Sequence, residues 1–178
     1  SVGTIEKIKK VAQIIGQYRK KNYKVIVVSS AMSGVTNELV RKSKEISENF
    51  SDSEYDMLLS TGEQVSCSLI AGRLIHNGLK ARSWLAWQIP IFTNGPHKNS
   101  RINQIYKKKI IKSLKEGEIP IIAGFQGINY QDRITTTGRG GSDASAIMLA
   151  KFFKAKRCVI YTDVQGVYTT DPNILKKA

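Results

Sequence analysis

The chain has 178 residues, and its 28 Lys and Arg outweigh 14 Asp and Glu, for a formal net charge of +14. Its length suits one domain, and 41% apolar residues are enough for a packed core and too many for a disordered polymer. No run reaches the roughly eighteen apolar residues of a membrane-spanning helix, and the polar start shows no signal-peptide pattern, so a cytoplasmic protein is expected.

In chain order, Ile5, Ile8, Val11, Ala12, Ile15 and Tyr18 recur at three and four and predict a helix over 4–21 with Thr4 as N-cap. Lys24 to Ser29 is a continuous apolar run, the pattern of a strand buried on both faces. It opens into a small, polar loop, Ser29 to Asn37, before a helix that runs to about Ile46. In this loop Ser30 and Thr36 could bind a substrate or cap the helix. Asp52 to His76 is predicted as one long helix, with Leu58, Leu59, Val65, Leu69, Ile70 and Leu74 as its apolar positions. Gly62 inside it costs about 1 kcal/mol against alanine, so a packing or ligand reason is expected. Glu63 beside it faces a cleft or is a surface glutamate.

Asn77-Gly78 ends that helix, and Ala81 to Ile91 holds a short strand. Thr93 to Ser100 is a loop, and Ile102, Ile105, Ile110, Ile111 and Leu114 predict an amphipathic helix closed by Gly117. Ile119 to Gly124 is a second buried strand, followed by a turn between short strands over 125–134. Cys158 to Tyr161 is a third, running into Thr162 to Asn173. The alternation predicts an α/β fold, a three-layer αβα sandwich on a mainly parallel open sheet. Ligands of such sheets bind at the strands' C-terminal ends. That rule gathers three loops, 29–37, 124–143 and 162–173.

The stretch Thr135-Thr136-Thr137-Gly138-Arg139-Gly140-Gly141-Ser142-Asp143 carries the most chemistry. Hydroxyls precede a glycine-rich loop that opens a helix from Ser142. Glycines let backbone amides approach a ligand closely, and a helix N-terminus favours anions. Arg139 adds a planar cationic fork for carboxylate or phosphate. An ordinary turn capped by Ser142 or Asp143 is the plain alternative. Cys67 and Cys158 have no metal-like spacing and are expected as two buried reduced thiols. The lysines, among them Lys7, Lys20, Lys42, Lys109 and Lys115, are spread along the chain with few aromatics between them. A solvated face, not a nucleic-acid footprint, follows.

Several of these stretches resemble the aspartate kinases, a branch of the amino acid kinase superfamily. They are Val28-Ser29-Ser30-Ala31-Met32-Ser33-Gly34-Val35-Thr36-Asn37, Thr61-Gly62-Glu63, Ala123-Gly124-Phe125-Gln126-Gly127, Gly138-Arg139-Gly140-Gly141-Ser142-Asp143, and Tyr161-Thr162-Asp163-Val164-Gln165-Gly166-Val167-Tyr168. They come in the family's order along the whole chain. The resemblance implies transfer of the ATP γ-phosphoryl group, with Mg²⁺, to the β-carboxylate of L-aspartate. The product, 4-phospho-L-aspartate, begins lysine, threonine and methionine biosynthesis.

It also implies the roles. Arg139 holds the substrate α-carboxylate and Glu63 its ammonium, while Ser30, Thr36 and Ser142 line the aspartate pocket. Gly140 and Gly141 offer amides to the transferring phosphoryl group and Asp143 orients the cationic groups there. Thr162, Asp163, Tyr168 and Asn173 lie against the nucleotide, with Asn173 where the family usually carries Arg. The family opens with a strand and Lys-Phe-Gly-Gly-Thr-Ser-Val, whereas this chain begins Ser1-Val2-Gly3. Residues 1–178 are therefore expected to be a catalytic domain incomplete at both ends, without a regulatory ACT domain, from a protein that forms a homo-oligomer at full length. The alternatives are a glutamate or acetylglutamate kinase, a non-catalytic nucleotide-binding paralogue, and, on charge alone, a nucleic-acid binder.

Overall fold

The computed structural model describes residues 2–138 and 140–162. Helix α1 (Ile5–Lys20) starts as its sequence predicts, with the Thr4 hydroxyl accepting from the Lys7 amide at 3.3 Å. It is followed by β1 (Val27–Ser29), α2 (Val35–Ile46), α3 (Asp52–Leu59), α4 (Thr61–His76), β2 (Ala81–Trp84) and β3 (Ile91–Asn94). Then come β4 (Arg101–Ile105), α5 (Lys108–Lys115), β5 (Ile119–Ala123), β6 (Gln126–Ile128), β7 (Ile134–Thr136) and α6 (Gly141–Phe152).

Strand β5 is the axis of the fold. It is buried at every position and pairs in parallel with β1 on one side and β2 on the other. Successive side chains of a strand point to opposite faces. Ile119, Ile121 and Ala123 accordingly pack with Ile8, Ala12 and Ile15 of α1 and Cys67, Ile70 and Leu74 of α4. Ile122 points the other way, into a cluster with Trp84, Ile89, Ile110 of α5 and Leu149 of α6. Helices thus cover both faces of a parallel sheet, the expected three-layer arrangement. A second sheet, ordered β4-β3-β6-β7, is mostly antiparallel.

The structure departs from the sequence reading at five places. The helix expected from Ile102 begins only at Lys108, because Arg101–Ile105 is a strand. Phe92 pairs with Gln104 and Thr93 with Ile102, which leaves Asn103 as a bulge. The bulge puts Ile102 and Ile105 on the buried side three residues apart, the spacing of a helix. The long helix 52–76 breaks at Ser60. There the Ser60 and Thr61 hydroxyls bond back to the Met57 and Leu58 carbonyls at 2.8 and 2.7 Å, and Gln126 Nε2 donates to the Ser60 carbonyl at 3.1 Å. Backbone groups drawn off in this way end a helical ladder without disturbing its apolar spacing.

Of the run expected as a strand only Val27–Ser29 forms β1, and Val25 to Val28 are half-buried rather than buried on both faces, because among the described residues β1 lies at the edge of its sheet. Cys158 to Tyr161 carries no strand and is exposed, and the Tyr161 hydroxyl lies 3.2 Å from that of Tyr18. Cys158 is therefore an exposed free thiol, whereas Cys67 is buried and its thiol is pushed up to about 11 by desolvation. At the start of α6 the N-cap is Gly140, without a side-chain cap, rather than Ser142 or Asp143.

Candidate active site

The C-terminal ends of β1 and β5 are tied together, with the Gly124 amide donating to the Ser29 carbonyl at 2.9 Å. Three elements converge on this point. The first is the β1–α2 loop, which carries Ser30, exposed, and leads through left-handed Gly34 to the half-buried Thr36 in the first turn of α2. The second is the first turn of α4. A Cβ on Gly62 would stand 2.9 Å from that of Ala31, so glycine lets α4 press against the loop, the packing reason its cost demands.

That close approach brings Glu63 inside. It is only 4% exposed, its Oε1 accepts from the Ala31 amide at 3.0 Å, and its Oε2 is buried with no hydrogen-bond partner among the described residues. Burial raises the carboxyl from 4.5 to about 7, and the Ala31 hydrogen bond opposes this less strongly. A carboxylate with one oxygen held and the other unsatisfied is a receptor for a cation. One turn further along α4, the Ser66 hydroxyl lies 2.8 Å from that of Ser29 and donates to the Ser30 carbonyl at 2.6 Å. Sequence reasoning missed Ser66, although its spacing of three from Glu63 on a helix already put the two on one face.

The third element is the glycine loop and the start of α6. Phe125 adopts a left-handed φ of 65° and Gly138 and Gly140 have φ of 76° and 71°. The loop is closed by the Thr137 amide donating to the Phe125 carbonyl at 2.9 Å, and the Ser145 hydroxyl accepts from the Phe125 amide at 3.1 Å. A Cβ on Gly141 would meet Thr137 Oγ1 at 2.3 Å and the Phe125 ring at 2.6 Å. At Gly140 the same construction meets nothing within 4 Å among the described residues, so with respect to them the backbone faces open space there. This is the form of a phosphate cradle: a left-handed glycine, an open approach and a helix N-terminus behind it.

Ser30, Ser142 and Asp143 all line one cavity of about 620 Å³ whose wall is largely apolar and includes Val25 to Val28. Ser142 packs on Gly124, whose Cβ would come within 3.0 Å of Ser142 Oγ. Asp143 is exposed in the first turn of α6. Glu63 and Thr36 stand on the other elements of the same convergence, and Thr162 is exposed near the end of the described chain. Arg139, Asp163, Tyr168 and Asn173 lie outside the described residues. No group of three or more His, Cys, Asp or Glu able to hold a metal occurs among the described residues.

The comparisons with known proteins bear on the family. The amino acid kinase family matches over residues 1–178. The chain belongs to that family. Among curated relatives of this amino acid kinase chain, the aspartokinase of Rickettsia felis is 50% identical over 181 residues, covering 100% of this chain and 45% of its own. This amino acid kinase chain thus spans less than half the length of that relative. The crystal structure of aspartate kinase from Synechocystis superposes with a TM-score of 0.79 at 42% identity, over 99% of this chain and 29% of its own. E. coli aspartokinase III, solved in complex with aspartate and ADP, shares the fold with a TM-score of 0.80 at 24% identity, over 99% of this chain and 50% of its own.

Proposed function

We propose that residues 1–178 are part of the catalytic domain of an aspartate kinase, which uses ATP to phosphorylate the β-carboxylate of L-aspartate. The observation that carries the reading is the pairing of Glu63 with the glycine cradle. The one is a buried acceptor that lacks a partner for Oε2, and the other is an open backbone approach at Gly140. An amino acid substrate brings an ammonium for the first and a phosphoryl group in transfer needs amides at the second. The solved relative that holds aspartate and ADP on the same fold points the same way.

In this site the Glu63 carboxylate accepts from the substrate ammonium, and the charge it meets offsets the cost of its own burial. Ser30, Thr36 and Ser142 line the aspartate pocket, and Arg139 takes the α-carboxylate as a bidentate fork. Gly140 directs its amide at the equatorial oxygens as negative charge is redistributed there, whereas the Gly141 amide donates to the Gly138 carbonyl at 3.0 Å and holds the turn instead of reaching the phosphoryl group. Asp143, exposed and lining the cavity, orients cationic groups around the phosphoryl centre. Thr162, Asp163, Tyr168 and Asn173 bind the nucleotide. When bound, ATP supplies the phosphoryl group and Mg²⁺ screens its phosphate charge. With no three-ligand cluster among the described residues, the metal would be held chiefly by phosphate oxygens.

The test is a hydroxamate-trapping assay of the full-length protein with ATP, Mg²⁺ and either L-aspartate or L-glutamate. Hydroxylamine intercepts an acyl phosphate, so colour reports carboxylate phosphorylation itself. The expected result is a kcat/KM for aspartate at least about tenfold above that for glutamate, a difference of about 1.4 kcal/mol in transition-state binding. A preference for glutamate would reassign the substrate. Silence with both, in a folded protein that still binds nucleotide, would leave a non-catalytic paralogue.

A further inference from the structure

Asp56 of α3 is completely buried and takes no part in the chemistry described above. Its carboxylate nevertheless gathers donors from two other segments. His97 Nδ1 lies 2.7 Å from Oδ2, the Lys98 amide donates to Oδ1 and Oδ2 at 3.1 and 3.0 Å, and the Thr136 hydroxyl donates to Oδ1 at 2.6 Å. Because the carboxylate can only accept, the His97 proton on this side sits on Nδ1. Thr136 is the last residue of β7, which runs directly into the glycine loop, and its carbonyl accepts from the Ser100 amide at 2.9 Å. The loop between β3 and β4 also touches Gly138 itself, where a Cβ would stand 3.1 Å from the Lys98 carbonyl and 3.2 Å from Asn99 Oδ1.

The same loop is held from outside. Lys98 has a left-handed φ of 65°, uncommon for a residue with a side chain. Its Nζ pairs with Asp52 and lies 4.6 Å from the Tyr55 ring centroid. Asp52, Tyr55 and Asp56 share one face of α3 by their spacing of three and four. A strained residue persists only where its surroundings over-determine it, and here three side chains of one helix do so.

We propose that Asp56 and His97 are positioning residues: through them α3 straps the β3–β4 loop onto Gly138 and sets the glycine loop in its binding geometry for the amino acid substrate. The proposal rests on the kinase reading for its substrate, while the strap itself can be tested without activity. His97 is the residue to change, because its ring is partly exposed and its removal leaves Asp56 with its other donors. In His97→Leu the donor is lost. In His97→Asn the amide Nδ2 takes the place of Nδ1.

The experiment is hydrogen exchange and steady-state kinetics on the full-length protein and both variants. In His97→Leu, exchange in peptides spanning 93–100 and 134–145 should rise at least about fivefold, with α1, α4 and β5 unchanged. KM for aspartate should rise at least about fivefold and kcat should fall with it, because Gly140 and Asp143 lie in the loosened stretch, while KM for ATP stays within about twofold, and His97→Asn should return the readouts to within about twofold of wild type. Unchanged exchange over 134–145, a rise spread over the whole chain, a loss confined to kcat, or failure of His97→Asn to rescue would each overturn the strap. If the wild-type protein does not phosphorylate aspartate, the kinase reading fails on its own, and the exchange result alone decides: a localised rise supports the strap and none overturns it.

Discussion

Glu63 shows how much one residue's burial decides. Below about pH 4.5 its carboxyl is neutral in folded and unfolded chains alike. As pH rises towards the folded value of about 7, the unfolded carboxyl ionises first. Stability present at low pH is therefore lost, by about 3 kcal/mol once pH passes 7. Glu63→Gln keeps the acceptor for the Ala31 amide and escapes this loss. Urea denaturation should find the variant more stable than wild type at pH 8, with the difference vanishing below pH 4.5. The same carboxyl, once protonated, cannot hold an ammonium, so KM for aspartate should rise about tenfold per pH unit below 7 in the wild type and lose that dependence in the variant. Gly141 is the second residue at which geometry leaves little choice. Its added Cβ would overlap Thr137 Oγ1 and the Phe125 ring, so Gly141→Ala should destabilise by about 1–3 kcal/mol in thermal or urea unfolding.

Among the elements, α4 and β4 mark the two ways periodicity can be read. The α4 stripe was legible only in part: Ile70 and Leu74 reach the core as expected and Cys67 joins them, whereas Val65 and Leu69 are exposed, because only the side turned to α1 and the sheet is covered. The β4 strand was not, because its bulge at Asn103 gave a strand the spacing of a helix. The threonine run before the glycine loop is a third case. As sequence it suggested ligand hydroxyls, yet Thr135 lies 2.6 Å from Thr93, Thr136 donates to Asp56, and Thr137 donates to the Phe125 carbonyl at 3.3 Å. These hydroxyls hold the loop's frame, and among the glycines it is Gly140 that faces open space.

For the whole molecule, the sheet's order fixes where stability lies. Strand β5 is paired on both sides and buried at every position, while Val25 to Val28 at the outer strand are half-buried. Amides of Ile121 and Ile122 should therefore exchange only through global unfolding, at least about tenfold more slowly than those of Val25 to Val28 in the 178-residue chain. Deuterium uptake followed by mass spectrometry checks this, and equal rates would mean that β1 and β5 open as one unit. The exposed lysines fit the same picture of solvated helix faces. Of those along α5, Lys108, Lys109, Lys112 and Lys115 are all at the surface, and Lys107 just before it donates instead to the Phe152 carbonyl at 3.2 Å, at the end of α6.

The sequence by itself determined the α/β alternation, the helix caps at Thr4 and Asn77-Gly78, the glycine loop opening a helix, and the motifs that carry the family. Each of these is set by local spacing and by the few residue types that tolerate a given backbone. Tertiary structure alone decided that Glu63 is buried with one oxygen unsatisfied and that the helix over 52–76 breaks at Ser60. It also decided that Asp56 gathers His97 and Thr136, and that Cys158 to Tyr161 is exposed and carries no strand. Burial, hydrogen-bond partners and strand pairing depend on segments distant in the chain. No periodicity within one segment encodes what another will bring to it.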